Sequence, residues 1–285
     1  MKRILLPAAL WLFCLGALAA PTLTLLPIIE SSPNLPTASA SDTYTQAFAD
    51  VHRFSLAATG NLANTLDRLK QLPAGLLNAD PRALADLGKQ AGAQIVAVGR
   101  VRGSETTLQL DEDRSANNTH ATTYATVLML EVRLIDVQTG AVIKNLFFNA
   151  RNFSVKKDDC LDDSFSDLQD DLTKELQTIY PLQGHIVQAS GNSEYMIDIG
   201  SASELKSGSH MLIFEDGAPI PDPSTGKLLM GDQTVLGEGV ITHVAHDSAV
   251  LKVSHLNGTI EAGKTKVEAA PKEAGFWSSM VKKIL

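Results

Sequence analysis

The chain has 285 residues, 44% of them apolar, and a formal net charge of −8. That is enough apolar material for two modest cores. The acidic balance excludes a phosphate-backbone binder, which needs clustered Lys and Arg, so no nucleic-acid partner is expected.

Lys2 and Arg3 precede the apolar run Ile4–Ala19, which ends in Ala17-Leu18-Ala19. This is the charge, length and cleavage chemistry of a secretory signal peptide over residues 1–19, too short for a membrane-spanning helix. Its removal would shift the formal charge from −8 to −10, because Lys2 and Arg3 leave and no acid does. It would also remove Cys14, which follows Trp11-Leu12-Phe13, a poor lipidation signal because the residue before a lipidated Cys is small. Cys160 then remains alone and is read as a small, partly buried side chain.

Thr22–Ile28 reads as the first strand, and the Ser/Pro/Ala-rich Glu30–Ser41 as a loop. A helical period runs from Asp42 through Tyr44, Phe48, Val51, Ala58, Leu62, Leu66 and Leu69, with Gly60 as an interruption. Leu72–Asn78 suggests a short strand. Asp80 then suits an N-cap and Pro81 the first helical position, where no donor is needed. Leu84, Leu87 and Ala91 share one face, and Gly92 supplies the left-handed residue that ends the helix. Ile95–Gly99 is a buried strand, and the polar Gly103–Thr123 an exposed loop. From Thr126 the period is two: Leu128, Leu130, Val132 and Leu134 point one way, while Met129, Glu131, Arg133 and Ile135 point the other. This predicts a helix packed on a sheet with one wet face. Asp136–Gly140 is a turn, Ala141–Ile143 follows it, and Leu146–Val155 alternates as an edge-like strand. Leu161, Phe165, Leu168, Leu172, Leu176 and Ile179 form a helical stripe beneath the carboxylates of Asp158–Asp171. These acids are read as a solvated helix face, since the spacing and turn glycine of an EF-hand calcium loop are missing.

After Pro181 come short strands with frequent glycines, which predict a small β-barrel or sandwich of five or six strands. Gly200 and Gly208 flank a loop whose Leu205 plugs the core, and Asp222-Pro223-Ser224-Thr225-Gly226 is a turn. Glu268–Gly275 reads as a linker. Phe276, Trp277, Met280, Val281, Ile284 and Leu285 form one stripe opposite Ser278, Ser279, Lys282 and Lys283, a pattern suited to a partner groove or a membrane interface. The expected architecture is α+β: a mixed-sheet α/β sandwich over residues 20–181, a small all-β barrel or sandwich over 182–268, and a linker with an amphipathic C-terminal helix over 269–285.

Two stretches carry resemblances. LGKQAGAQIVAVGRV followed by VRLIDVQTGAVI resembles the core of the curli-secretion lipoprotein family, a pattern shared by the N-terminal domain of the Tol–Pal translocation protein and by lipoprotein activators of cell-wall synthases. IDIGSASELKSGSHMLIF, IPDPSTGKLL and LGEGVITHV resemble the C-terminal β-module of the flagellar assembly protein T family, through Gly200, Leu205, Gly208, Asp222, Pro223, Thr225, Gly226 and Gly237. In that family the module is structural, so the resemblance implies turn geometry at these glycines and no ligand. The loop Gly103–Thr123 lacks the alternating lipid-facing residues of a pore hairpin.

No catalytic motif is present: GxSxG, HExxH, P-loop and GxGxxG are all missing, and Ser207 and Ser209 beside His210 are no evidence for a triad. His243 and His246, three apart on a strand, would point to opposite faces, which disfavours a shared metal. The sequence therefore predicts no cofactor, no metal and no enzyme. It predicts an exported protein of the periplasm or the periplasmic face of the outer membrane, with envelope protein partners, self-association, and peripheral membrane contact through the tail. The alternatives are a ring-forming outer-membrane secretion component and a periplasmic ligand-binding protein or hydrolase.

Overall fold

The computed structural model describes residues 20–28, 35–57, 76–110, 121–221 and 228–270. They form two compact units, residues 20–182 and the part from Gln183 onward. The fold is α+β, a mixed sheet with helices in the first unit and a closed barrel in the second.

The first unit is a five-stranded sheet in the order β2-β1-β3-β4-β5. Its strands are β1 (Thr22–Leu25), β2 (Ser55–Leu56), β3 (Ile95–Leu110), β4 (Ala121–Asp136) and β5 (Val142–Ser154). β1 runs parallel to β2 and β3, and β3–β4–β5 is an antiparallel meander. The helices are α1 (Thr37–Asp50), α2 (Pro81–Ala91) and α3 (Lys157–Ile179). Period two sends Leu128, Leu130, Val132 and Leu134 into one core with Leu23, Tyr44, Phe48, Phe165, Leu168, Leu172 and Leu176, so α1 and α3 cover the same sheet face. Phe54 stands edge-on to Tyr180, with ring centroids 4.9 Å apart. Burial, with the Asp136 charge adding to it, pushes the Tyr180 hydroxyl up to about 12.

α2 takes the opposite face. Asp80 accepts a hydrogen bond from the Arg82 amide at 3.1 Å, Pro81 opens the helix, and Gly92 ends it at φ +72°. Leu84 and Leu87 pack on Val96, Val98, Ile135 and Val137 as a second core. The predicted wet face is therefore covered at one end, and Ile135 is fully buried there.

Several boundaries differ from the sequence reading. α1 begins at Thr37, inside the predicted loop, and ends at Asp50, where Val51 is its C-cap and His52 turns to φ 51°; residues 58–75 lie outside those described. Leu76–Asn78 form a turn and not a strand. β1 stops at Leu25, although Leu26 and Ile28 stay buried. The described residues of the interval Gly103–Thr123 are strand, because cross-strand pairing carries β3 to Leu110 and β4 from Ala121 despite its polar composition. Hydrogen bonding to a neighbour overrides weak local preference here.

The second unit is a closed barrel in the order β10-β7-β6-β11-β8-β9. Its strands are β6 (Gln183–Gly191), β7 (Glu194–Ile197), β8 (His210–Pro221), β9 (Leu228–Val244), β10 (Ala249–Leu256) and β11 (Lys266–Ala269). Ile186, Ile197, Met211, Ile213, Ile241, Leu251 and Val267 fill it. Glu268 and Ala269, read as linker, belong to β11, which closes the barrel against β6 and β8. Closure leaves no edge strand in this sheet.

Candidate functional site

Among the described residues no helix covers the α2 side of the first sheet beyond α2. A helix of 11 residues is about 16 Å long, whereas strands of 16 residues run about 50 Å, so α2 cannot cover them. Arg133 marks the limit of cover, its guanidinium donating to the Ala79 carbonyl and to the Asn145 side chain at 3.3 Å each. Past it, the register sets Glu131 beside Phe147, Met129 beside Asn149, Val127 beside Arg151 and Ala125 beside Phe153.

This face is apolar without being covered. Phe147 is 68% exposed, Phe153 53%, Met129 42% and Val127 37%. Of the eleven large apolar side chains exposed among the described residues, five lie past that limit: Val127, Met129, Phe147, Phe153 and, just after β5, Val155. That concentration separates the patch from the single exposed apolar residues any surface carries. The uncovered fractions of Phe147, Phe153, Met129 and Val127 amount to about two whole side chains, so covering them would release roughly 3–6 kcal/mol.

The patch has a polar frame. The Arg151 guanidinium lies 5.1 Å from the Phe153 ring centroid, a contact worth about 0.5–1 kcal/mol at an exposed site. Arg100 donates to the Glu131 carboxylate at 2.6 Å, with both side chains largely buried. Arg102 is exposed beside this pair. On the opposite side of the sheet, Cys160 is buried with its Sγ against the Asn152 carbonyl, and α3 carries its acids outward.

The residues singled out in the sequence divide into two groups. Phe276, Trp277, Met280, Val281, Ile284 and Leu285, and the turn residues Asp222, Pro223 and Gly226, lie outside the described residues, as does the segment 1–19. Gly200, Gly208 and Gly237 sit at barrel positions with distinct demands. Gly200 has φ −142°, open to any residue, but a Cβ there would meet the carbonyls of Ala245 and His246 and the Ser248 amide. A Cβ on Gly237 would meet the His255 carbonyl, and Gly208 needs its φ of +85°. Leu205 between Gly200 and Gly208 is buried.

The barrel also holds paired polar groups. His185 sets Nδ1 3.2 Å from an Asp198 carboxylate oxygen, while its amide donates to the other oxygen. Lys266 donates to Asp216 and holds that carboxyl below its ordinary value, against the opposing effect of burial. Ser207 donates to the Thr242 carbonyl and not to an imidazole. His243 lies on β9, one residue before its end, but His246 lies in the following turn beside Asp247, so the two are not on one strand as the sequence suggested. Among the described residues no group of three or more His, Cys, Asp or Glu side chains could hold a metal ion. An apolar cleft of about 310 Å³ lies by Leu26, Pro27, Tyr44 and Leu56.

Sequence reading missed the aromatic patch. The signal was present: Phe147, Arg151 and Phe153 fall on one parity of β5 while Leu146, Phe148 and Ala150 fall on the other, so both faces of the strand are apolar.

No protein-family model and no curated protein matches the chain. Solved structures show likenesses over about half of it. The hypothetical protein CT253 of Chlamydia trachomatis matches at 13% identity over 57% of this chain and 98% of that one, with a TM-score of 0.38. Lipoprotein GNA1162 of Neisseria meningitidis matches at 14% identity over 55% and 99%, with a TM-score of 0.35. The LpoB C-terminal domain of Salmonella enterica matches at 20% identity over 47% and 84%, with a TM-score of 0.31. At this level of similarity they carry no argument about what the chain does. No helix among the described residues is long and apolar enough to cross a membrane.

Proposed function

We propose that the protein is a non-enzymatic, exported cell-envelope component that docks protein partners on the open face of β4 and β5. The carrying observation is the concentration of exposed apolar side chains there, framed by Arg102 and Arg151. Aromatic residues with arginine are the composition of docking surfaces. Export rests on the sequence of residues 1–19. The finer role, assembly of a flagellar basal body or another envelope complex, rests on the resemblances quoted above. The stripe Phe276–Leu285 is proposed as a second anchor, tested by light scattering with and without residues 271–285 and with liposomes.

The test of the docking face is photo-crosslinking in cells. A benzophenone amino acid at Met129 is expected to give discrete adducts with an envelope protein, and one at Val187, equally exposed on the barrel, to give none. Val127→Glu is expected to abolish the Met129 adducts. The proposal is overturned if Met129 and Val187 give the same adducts, or neither gives any.

A further inference from the structure

β5 is the free edge of its sheet: among the described residues no strand pairs with its outer side. An edge strand turns alternate N–H and C=O groups outward and templates pairing unless it is short, bulged, or carries Lys or Pro. β5 is long, 13 residues, with no proline and one lysine. Its irregularity is confined to one end, where the partners of Leu134 and Ile135 skip Ile143. It also carries Val142, Ile143, Phe147 and Phe153 exposed.

We infer that β5 pairs antiparallel with β5 of a second copy, about a two-fold axis at Phe148, to join two sheets into one. The strand's own residues select this register. Phe148 is the midpoint of Val142–Ser154, so this axis pairs the whole strand, and moving it by one residue leaves two residues of each copy unpaired. A two-fold axis normal to the sheet keeps open face beside open face, an isologous contact. Asn145 then lies opposite Arg151, Phe147 opposite Asn149, Lys144 opposite Asn152 and Leu146 opposite Ala150. The strand's two charges, Lys144 and Arg151, are both positive, and here each faces an asparagine amide. Like charges directly opposite would oppose pairing, and none meet. The two Phe147 side chains then lie diagonally across the axis from one another, each beside Asn149 of the other copy. The inference goes beyond the docking proposal and stands without it: it concerns the strand edge, whereas docking concerns the β4–β5 face.

The test is a mixed disulfide. Directly opposed antiparallel residues have Cα atoms about 4.5–5.5 Å apart, within disulfide reach. Oxidising Asn145→Cys protein together with Arg151→Cys protein is expected to yield a covalent dimer containing both chains. Either variant alone is expected to stay uncrosslinked, because its two cysteines would be about 20 Å apart along the paired strands. Hydrogen exchange at β5 in the unsubstituted protein is expected to slow as protein concentration rises. No mixed dimer, a variant that crosslinks equally well alone, or concentration-independent exchange at β5 overturns the inference. Val127→Glu separates the two proposals: it is expected to abolish partner adducts and leave the mixed disulfide unchanged.

Discussion

Gly200→Ala tests the argument that close approach, and not backbone conformation, demands this glycine. The added methyl would fall about 1 Å inside ordinary contact with the carbonyls of Ala245 and His246 and the Ser248 amide, all of them backbone atoms. No side chain can swing away, so the β9–β10 turn must move. Two hydrogen bonds stretch with it, Ser201 amide to Ala245 carbonyl and Ala202 amide to His246 carbonyl, both 2.9 Å. Each contributes about 1 kcal/mol net, and overpacking adds about 1–3 kcal/mol, for an expected loss of about 3–5 kcal/mol. At about tenfold per 1.4 kcal/mol, globally exchanging barrel amides such as those of Ile241 and Leu251 should exchange more than a hundredfold faster. Hydrogen exchange read by mass spectrometry measures this. Gly208→Ala is the contrast: φ is +85° but nothing lies within 4 Å of the new Cβ, so the cost should be about 1–2 kcal/mol, less for Asn. A loss under about 1 kcal/mol for Gly200→Ala, or one no greater than for Gly208→Ala, would refute the close-approach reasoning.

Three further outcomes are expected. Glu131→Ala removes a carboxylate that holds the largely buried Arg100 guanidinium at 2.6 Å and should cost about 3 kcal/mol in urea unfolding. Tyr44 is 1% exposed and its hydroxyl has no hydrogen-bond partner among the described residues, so Tyr44→Phe should raise stability by about 1 kcal/mol in the same assay. The Lys266 hydrogen bond holds Asp216 below the ordinary carboxyl value of 3.8 in the folded barrel. A depressed folded value means that the contribution is present above 3.8 and lost as pH falls through the lower folded value. Asp216→Asn should therefore flatten the acid limb of a pH–stability curve, and an unchanged limb would count against the pairing.

Local chemistry was sufficient for the elements whose signals are local. Asp80, Pro81 and Gly92 bracket α2 because caps and a left-handed terminus are decided within one turn of chain. The 128–134 alternation and the Phe165–Leu176 stripe named the residues that meet in the first core, since side-chain period follows from backbone geometry alone. Regular glycine and turn spacing was enough for a small β-barrel or sandwich of five or six strands, and the closed six-strand barrel is the tertiary structure's choice between them. Tertiary structure decided what depends on distant partners. Polar residues 103–110 and 121–123 are strand because each has a cross-strand neighbour, and Glu268 is strand because β11 must close the barrel. The same holds for the docking face. Periodicity shows that Met129, Phe147 and Phe153 share a side of the sheet, but not whether a helix covers that side. The length of α2 against the length of the strands decides that, and among the described residues it leaves the aromatic face uncovered.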